Sequence, residues 1–306
     1  MLPRRKFLKG LGILSASPWL IKTAEAFENH TTLSGNALHR ILTCNIRVAL
    51  TEDDAKGLGW KDRKKACLQI IKAHKPDIIS LQEVLKVQAD DFKSYFDNYM
   101  IFGFEGPEMD GHDHDAYFGI AKNPVLFAKA RYELIAAGTY WLSETPLIGG
   151  SKSWNTARAR HANWLRLKDK KSGKEFRLVN VHLDHKDQTA REMQIKTVMA
   201  ECAQYQPDFP QILTGDFNAH VPNPVFNIIH ESAWTDTYTA VHGTEAPGYT
   251  YHNFQGEKYA KGKPDGKIDF IFSRGKVKPV ASQIIKDAVN GRYPSDHYFV
   301  SADIEL

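Results

Sequence analysis

Side chains that can bind a metal ion or move a proton lie next to several short apolar runs of this sequence. They are Asn45, Glu83, His182, Asp216, Asn218, Asp296 and His297, beside runs such as 78–81 and 212–214. A further carboxylate, Asp269, lies inside the apolar run 268–272, where a cation, a metal or several donors must satisfy it. Carboxylate and amide oxygens suit Mg²⁺ or Mn²⁺ better than zinc. The pattern therefore predicts a hard divalent cation with two histidines beside it.

Each of these residues also has a purely structural interpretation. Asn45 could end a strand in a turn, Glu83 could cap the next segment, and residues 216–218 could form an Asx turn. His182 could be a core histidine bonded to backbone, and Asp269 could pair with a structural Lys or Arg. The recurrence of the same kinds of side chain at so many run ends favours a single site over these separate explanations.

The apolar runs are typical of β-strands. We predict strands at 39–48, 77–81, 124–127, 132–135, 162–167, 176–182, 211–214, 267–273 and 298–304. Helical spacing of apolar residues predicts helices at 60–74 and 188–205. Because strands outnumber helices and several are consecutive, the sequence indicates an α/β (α+β) sandwich with mixed sheets, not a doubly wound parallel fold.

Six motifs follow one another in an order that carries a family resemblance. They are Cys44-Asn45, Leu81-Gln82-Glu83, Asn180-Val181-His182, Gly215-Asp216-Phe217-Asn218, Ile268-Asp269 and Ser295-Asp296-His297. As a set they resemble the endonuclease/exonuclease/phosphatase superfamily, from about Arg40 to the C-terminus. The resemblance implies a DNase I-like four-layer sandwich, in which two mixed β-sheets are flanked by helices. The stretches 123–127 and 138–146 are similar to a bacterial secreted branch of the superfamily.

The resemblance also implies how the site divides its work. Asn45 and Glu83 match metal-binding positions, and Asp296 can add a second carboxylate to hold Mg²⁺ or Mn²⁺. Asp216 matches the carboxylate that orients or deprotonates the attacking water, with Asn218 beside it. No organic cofactor is expected.

Further residues are implied on the substrate side. Asp269 and His297 match a carboxylate–imidazole pair, in which the aspartate favours the protonated ring and the ring stabilises the transition state. His182 matches a second histidine that donates to phosphate or assists the leaving group. Arg160 is expected to clamp a phosphate oxygen, and Asn123 to contact the substrate.

One position departs from the family pattern. An acidic residue that can orient the His182 equivalent often lies two positions before the Asn-Pro pair, where this chain has Ala121. His182 is therefore expected to have a different partner or a smaller role. The run His112-Asp113-His114-Asp115 could supply a partner, although a solvated loop is the commoner explanation.

The N-terminal residues resemble a twin-arginine export signal. Arg4-Arg5 precedes the mildly apolar stretch 10–21, and Ala24-Glu25-Ala26 has the small-x-small pattern of a cleavage site. We predict a cleaved signal at 1–26 and a single catalytic domain at 27–306. The alternatives are a basic amphipathic helix and a membrane anchor. A signal implies a bacterial protein that is exported folded to the periplasm or out of the cell.

Composition limits the function classes. The 306 residues are 42% hydrophobic and 25% charged, which is typical of a globular chain, and three cysteines are too few for a disulfide framework. Residues 1–26 hold five basic residues and one acidic residue, so the other 280 residues carry 35 basic and 35 acidic residues. A neutral body argues against broad electrostatic capture of nucleic acid.

The resemblance predicts a secreted, Mg²⁺- or Mn²⁺-dependent phosphoester hydrolase of the phosphodiesterase type. A small diester, a lipid head group or a phosphorylated glycan would be its substrate. Four alternatives stay open: a phosphomonoesterase, an extracellular DNA or RNA endonuclease, a non-catalytic binding module, and a zinc hydrolase that uses His182, His185 and a carboxylate. We expect a monomer with no stable protein partner, and contact with the export machinery through the signal.

Overall fold

Two mixed β-sheets pack face to face in the computed structural model, which describes residues 38–105, 121–259, 261 and 266–306. The strands are β1 (His39–Asn45), β2 (Ile78–Gln82), β3 (Tyr99–Phe102), β4 (Val125–Ala128), β5 (Tyr132–Trp141), β6 (His161–Asp169), β7 (Glu175–His182), β8 (Gln211–Asp216), β9 (Thr235–Asp236), β10 (Asp269–Arg274), β11 (Lys278–Ile285) and β12 (Phe299–Glu305). The α-helices among these residues are α1 (Thr51–Asp54), α2 (Trp60–Ala73), α3 (Lys86–Tyr95), α4 (Gln188–Cys202), α5 (Pro224–Glu231) and α6 (Thr237–His242).

Each sheet contains one parallel pair of strands among antiparallel neighbours. The strand orders are β11-β12-β1-β2-β4-β3 and β5-β6-β7-β8-β10-β9. The parallel pairs are β1 with β2 and β7 with β8. Parallel strands end at the same edge of a sheet, and an antiparallel neighbour begins at that edge. The residues that follow β1, β2, β7 and β8 therefore lie near the first residues of β10 and the residues just before β12.

Alternation along the strands divides the core into three layers. Ile41, Ile78 and Leu165 are fully buried between the two sheets. Leu42 faces the other way, toward α2 and α3, and Val181 faces a third cluster that includes residues of α4 and α5. Helices therefore cover the outer face of each sheet, which confirms the predicted α/β four-layer sandwich.

The predicted elements overlap the observed ones, with shifted ends. The strand predicted at 39–48 ends at Asn45, and the strand predicted at 132–135 extends to Trp141. Strands β3, β9 and β11 and helices α1, α3, α5 and α6 were not predicted. Strand β11 lies at a sheet edge and has a register shift between Pro279 and Ala281, so its alternation of polar and apolar residues is broken.

Two predictions fall outside the described residues. These are the export signal at 1–26 and the run His112–Asp115. The described part of the chain contains no helix that is long and apolar enough to cross a membrane. Cys44, Cys67 and Cys202 are buried and free.

Candidate active site

The ends of four strands and the start of a fifth bring the predicted site residues together. Asn45 ends β1, Glu83 follows β2, His182 ends β7 and Asp216 ends β8. Asp269 begins β10 and is the register partner of Asp216. The positions follow directly from the two parallel pairs, so the fold itself gathers these side chains at one edge of the sandwich.

Asp216 lies at the centre of this group. Its Oδ2 accepts a hydrogen bond from Asn45 Nδ2 at 3.0 Å and lies 3.4 Å from His182 Nε2 and 4.0 Å from His297 Nε2. Its Oδ1 accepts the Asn218 backbone N–H at 2.8 Å. One carboxylate is thus in contact with side chains from both sheets.

Burial and the neighbouring charge of Asp269 raise the pKa of Asp216 to about 7. A carboxyl group with such a pKa exists in both protonation states near neutral pH, as a general base requires. The preceding Gly215 has φ +152°, and a Cβ there would lie 2.1 Å from the Val181 carbonyl oxygen. The glycine of the Gly215–Asn218 motif therefore permits the close approach of β8 to β7.

Asp269 and His297 form a buried ion pair. His297 Nδ1 lies 2.9 Å from Asp269 Oδ2, and the ring meets the edge of Tyr251 at a centroid distance of 5.2 Å. Burial alone would lower the pKa of His297, but the charges of Asp269, Asp296 and Asp216 outweigh burial and raise it to about 10. A ring with this pKa is an imidazolium at neutral pH.

Potential ligand atoms of Asp216, Asp269 and His297 all lie within 4.8 Å of one another. A protonated imidazolium has no lone pair for a metal, so we interpret this trio as a proton-sharing cluster and expect a cation to bind beside it.

Asn45, Glu83 and Asp296 form what we call the oxygen-rich side. Glu83 Oε1 accepts from Asn45 Nδ2 at 3.2 Å, and Oε2 accepts the Val48 N–H at 2.8 Å. Asp296 Oδ2 lies 3.6 Å from Arg47 Nη1.

Burial and the nearby charge of Glu83 raise the pKa of Asp296. A divalent cation would relieve this repulsion, and two carboxylates with an amide are the hard ligands that Mg²⁺ prefers. Glu83 and Asp296 therefore fit a bound Mg²⁺ or Mn²⁺. The Asn45 oxygen accepts the Arg47 backbone N–H at 3.0 Å and would have to turn toward the cation to join them.

Arg63 on α2 supports the oxygen-rich side from behind. The guanidinium is 1% exposed and donates to five backbone carbonyls. These belong to Ile46, Arg47 at 2.5 Å, Val48 at 3.4 Å, Leu58 at 3.0 Å and Pro294 at 3.1 Å. One side chain thus fixes both the loop after Asn45 and the segment that leads to Asp296.

Arg160, His161, His182 and His185 form what we call the nitrogen-rich side. Arg160 Nη2 lies 3.3 Å from Nδ1 of the exposed His185. Burial, then the Arg160 charge, lower the pKa of His182 well below its usual value, so this ring is neutral. Its Nδ1 has no hydrogen-bond partner among the described residues. Among the residues that the structure describes, the carboxylate in contact with His182 is that of Asp216, whose Oδ2 lies 3.4 Å from Nε2.

Two further residues near this side serve the framework. The Asn123 side chain is 2% exposed and donates to the carbonyls of His161 at 3.2 Å and Asn180 at 2.8 Å. Its role as a substrate-binding residue stays a prediction. Asp184 accepts four hydrogen bonds, from Thr156 Oγ1 and from the backbone N–H groups of residues 157, 186 and 187. Asp184 thereby holds the loop before Arg160 in place.

The zinc alternative needs His182 and His185 in one metal-ligating group. In the part of the chain that the structure describes, no such group contains both of them. His185 instead accepts from Arg160, and the carboxylate between the two histidines, Asp184, is occupied by backbone donors.

The sequence analysis missed Arg63 and His161. Arg63 lies three residues after Trp60 and four before Cys67, on the apolar face of α2, and this placement was the available signal. His161 starts β6 directly after Arg160, but a single histidine there carries no recognisable pattern.

Two mixed sheets with carboxylates, an amide and an aspartate–histidine pair at one edge define a class of metal-dependent enzymes that hydrolyse phosphoester bonds. Residues 42–297 match the Endonuclease/Exonuclease/phosphatase family, and the chain belongs to this family. The DNase I-like fold that the motifs implied is thereby confirmed.

Similar proteins agree with this membership. The chain superposes on the endonuclease/exonuclease/phosphatase from Bacteroides vulgatus with a TM-score of 0.75 and 30% identity, over 88% of this chain and 99% of that chain. A mannosyl-6-phosphatase from Bacteroides thetaiotaomicron gives a TM-score of 0.76 and 25% identity, over 88% and 100%. The chain is also 25% identical over 292 residues to nocturnin from Drosophila melanogaster, which covers 82% of this chain but 43% of that protein.

Proposed function

We propose that the protein hydrolyses a small phosphoester by direct attack of water on phosphorus. The observation that carries the proposal is the position of Asp216, whose Oδ2 lies within 4.0 Å of Asn45, His182 and His297 side chains. A base in this position faces a cation-binding side and a substrate-binding side at once. Water held by Asp216 would attack a phosphorus placed between the two sides.

The chain's own groups supply the proton and charge steps. Asp216 takes the proton of the water, and the Asn218 N–H holds Oδ1 so that Oδ2 faces the site. The His297 imidazolium, held by Asp269, donates toward a phosphate oxygen as negative charge develops in the transition state. His182, on the other side of Asp216, donates to phosphate or to the leaving oxygen.

Asn45, Glu83 and Asp296 would hold Mg²⁺ or Mn²⁺, which neutralises phosphate oxygens and charge on the leaving group when bound. On the opposite side, the buried Arg160 would bind a non-bridging oxygen of the substrate.

A small substrate is favoured over nucleic acid. Without residues 1–26 the chain has equal numbers of acidic and basic residues, so long-range attraction to a polyanion is weak. The similarity to a mannosyl-6-phosphatase supports a phosphorylated sugar or glycan. The sequence prediction of a diesterase shares the same reacting groups, because a diester and a monoester differ in what is attached to phosphorus and not in the attack by water.

We further propose that residues 1–26 direct export to the periplasm or the medium. The twin-arginine pair and the Ala24–Ala26 cleavage pattern support this proposal. Replacing Arg4-Arg5 with Lys-Lys should leave the protein in the cytoplasm of a bacterial host, and unchanged export of that variant would remove the proposal.

The test of the chemistry uses the full chain with p-nitrophenyl phosphate, bis-p-nitrophenyl phosphate and plasmid DNA, with Mg²⁺ or with EDTA. We expect Mg²⁺-dependent release of p-nitrophenol and an intact plasmid. The variants Asp216→Ala and His297→Ala serve as controls that we expect to be inactive. Plasmid nicking would favour the nuclease alternative, and turnover that survives both variants would contradict the mechanism.

A further inference from the structure

A row of side chains crosses the second sheet at its active-site edge. The register pairs Trp141 with His161, His182 with Asp216, and Asp216 with Asp269. The β6–β7 register pairs residue 162 with 181, and one more step along it sets His161 opposite His182. Cross-strand partners lie on the same face of a sheet, so His161 flanks His182 on the side away from Asp216.

Three buried nitrogen atoms in this corner have no hydrogen-bond partner among the residues that the structure describes. They are Arg160 Nε, His161 Nε2 and His182 Nδ1. Their side chains are at most 8% exposed. Arg160 Nε is always a donor, and each of the two ring nitrogens is a donor in one tautomer of its neutral ring. A buried polar atom without a partner destabilises the fold, so three such atoms in one corner point to a ligand that satisfies them.

The charge of this corner favours an anion. Within the described ranges, no carboxylate oxygen lies within 4.0 Å of the Arg160 guanidinium, whose contact is His185. Burial, then the charges of Arg160 and Lys122, lower the pKa of His161 to about 3. His161 is therefore a neutral ring that can donate one N–H beside the positive charge of Arg160, on which the carboxylates of Asp184 and Asp216 act only from beyond 4.0 Å.

We propose that His161 forms an anion subsite with Arg160 and His182, and that this subsite selects a phosphomonoester dianion over a phosphodiester. The inference rests on the proposed function, because the subsite adjoins the base Asp216. A monoester presents three non-bridging oxygens that share almost two charges. A diester replaces one of them with an esterified oxygen, whose carbon substituent would face buried N–H donors and the Trp141 ring, 5.2 Å from His161.

The test compares three substitutions of His161 in the full chain. The Gln side chain places an amide nitrogen near the position of Nε2, whereas Asn reaches only the position of Nδ1 and Leu offers no donor. The readouts are the ratio of kcat/KM for p-nitrophenyl phosphate to that for bis-p-nitrophenyl phosphate, and the inhibition constant of inorganic phosphate.

We expect His161→Leu and His161→Asn to lower the ratio about tenfold or more and to weaken phosphate inhibition by a similar factor. His161→Gln should restore both to within about threefold of the unsubstituted protein. His39→Leu is the matched control. His39 is also a buried neutral histidine, but it bonds Tyr132 Oη at 2.7 Å at the opposite end of β1 from Asn45.

An unchanged ratio in folded His161→Leu, or equal behaviour of the Gln and Asn variants, would overturn the subsite. If the Leu variant does not fold, the comparison of His161→Gln with His161→Asn tests the subsite. If the unsubstituted protein cleaves neither ester with Mg²⁺, the proposed function fails, and calorimetry with inorganic phosphate then tests the subsite by itself. Phosphate binding that Gln keeps and Asn loses supports the subsite, and no detectable binding overturns it.

Discussion

The oxygen-rich side and the nitrogen-rich side are both buried at the same edge of the sandwich, yet they carry opposite charge. On the first, burial and then the charge of Glu83 raise the pKa of Asp296. On the second, burial and then the charge of Arg160 lower the pKa of His182. The oxygen-rich side thus holds two carboxylates beside one guanidinium, that of Arg47, 3.6 Å from Asp296, whereas the charged group of the nitrogen-rich side is Arg160. A cation on one side and an anion on the other would relieve both, which is the arrangement that a metal-bound phosphate provides.

The largest effect is expected at the residue that contacts both sides. Asp216→Asn keeps the shape of the side chain but removes the base, so kcat should fall by roughly 10³–10⁴-fold. The measurement is the initial rate of p-nitrophenyl ester hydrolysis with saturating Mg²⁺, with circular dichroism as the control for folding. A rate within tenfold of the unsubstituted protein would show that another group activates the water.

The two histidines should differ in importance because one is charged and the other is neutral. His297→Gln removes an imidazolium that faces developing negative charge, and a loss of roughly 10³-fold in kcat is expected. His182→Gln removes a neutral donor, and roughly 10-fold to 100-fold is expected. Steady-state kinetics on both variants checks this order, and equal losses would break the distinction between the two rings.

A smaller effect is expected on the Mg²⁺ requirement, and it should appear when a residue of the oxygen-rich side is changed but not when one of the nitrogen-rich side is changed. Glu83→Gln keeps the hydrogen bonds to Asn45 and Val48 in part but removes a negative ligand, so the Mg²⁺ concentration for half-maximal rate should rise roughly 10-fold to 100-fold. His182→Gln serves as the comparison and should leave the Mg²⁺ requirement where it was. A Mg²⁺ titration of the rate that does not move in Glu83→Gln would remove Glu83 from the ligand set.

The smallest effect concerns stability and pH. The pKa of His297 is raised to about 10 in the folded protein, above the value of about 6.5 expected in an unfolded chain. The Asp269–His297 pair therefore stabilises the fold fully below pH ~6.5, and this contribution is lost as the pH rises through about 10. The free energy of unfolding, measured with urea in EDTA, should be higher for the unsubstituted protein than for Asp269→Asn. This difference should be smaller at pH ~10.5 than at pH ~6. A difference in unfolding free energy that does not change with pH would mean that Asp269 does not raise the pKa of His297.

Much of the fold was predictable because its central strands are short and strongly apolar. The positions of β1, β2, β7 and β8 could be found from the sequence to within three residues at their ends, and the polar residues near those ends proved to be neighbours. The edge strand β11 was not predictable, because a bulge interrupts its pattern. Helix α3 was not predicted because only a few of its residues, such as Phe92, are buried, and so few apolar positions give a weak helical pattern.

Site residues that belong to a sequence motif could be predicted. Site residues that bind backbone groups, or that depend on strand register, could not. Arg63 donates only to carbonyl groups, and any residue offers a carbonyl, so its partners leave no trace in the sequence. His161 depends on the register between β6 and β7, which places it beside His182 although 20 residues separate them in the chain. Register is decided by packing across the whole sheet and not by local composition.

The bond from Arg63 to the Pro294 carbonyl joins positions 231 residues apart. During synthesis, Asn45 and Glu83 leave the ribosome much earlier than Asp296, His297 and β12, the partner of β1. A growing chain that ends before residue 295 has neither the imidazolium nor the third member of the oxygen-rich side. We therefore expect a chain shortened before residue 295 to be inactive toward phosphoesters, even if its other strands fold.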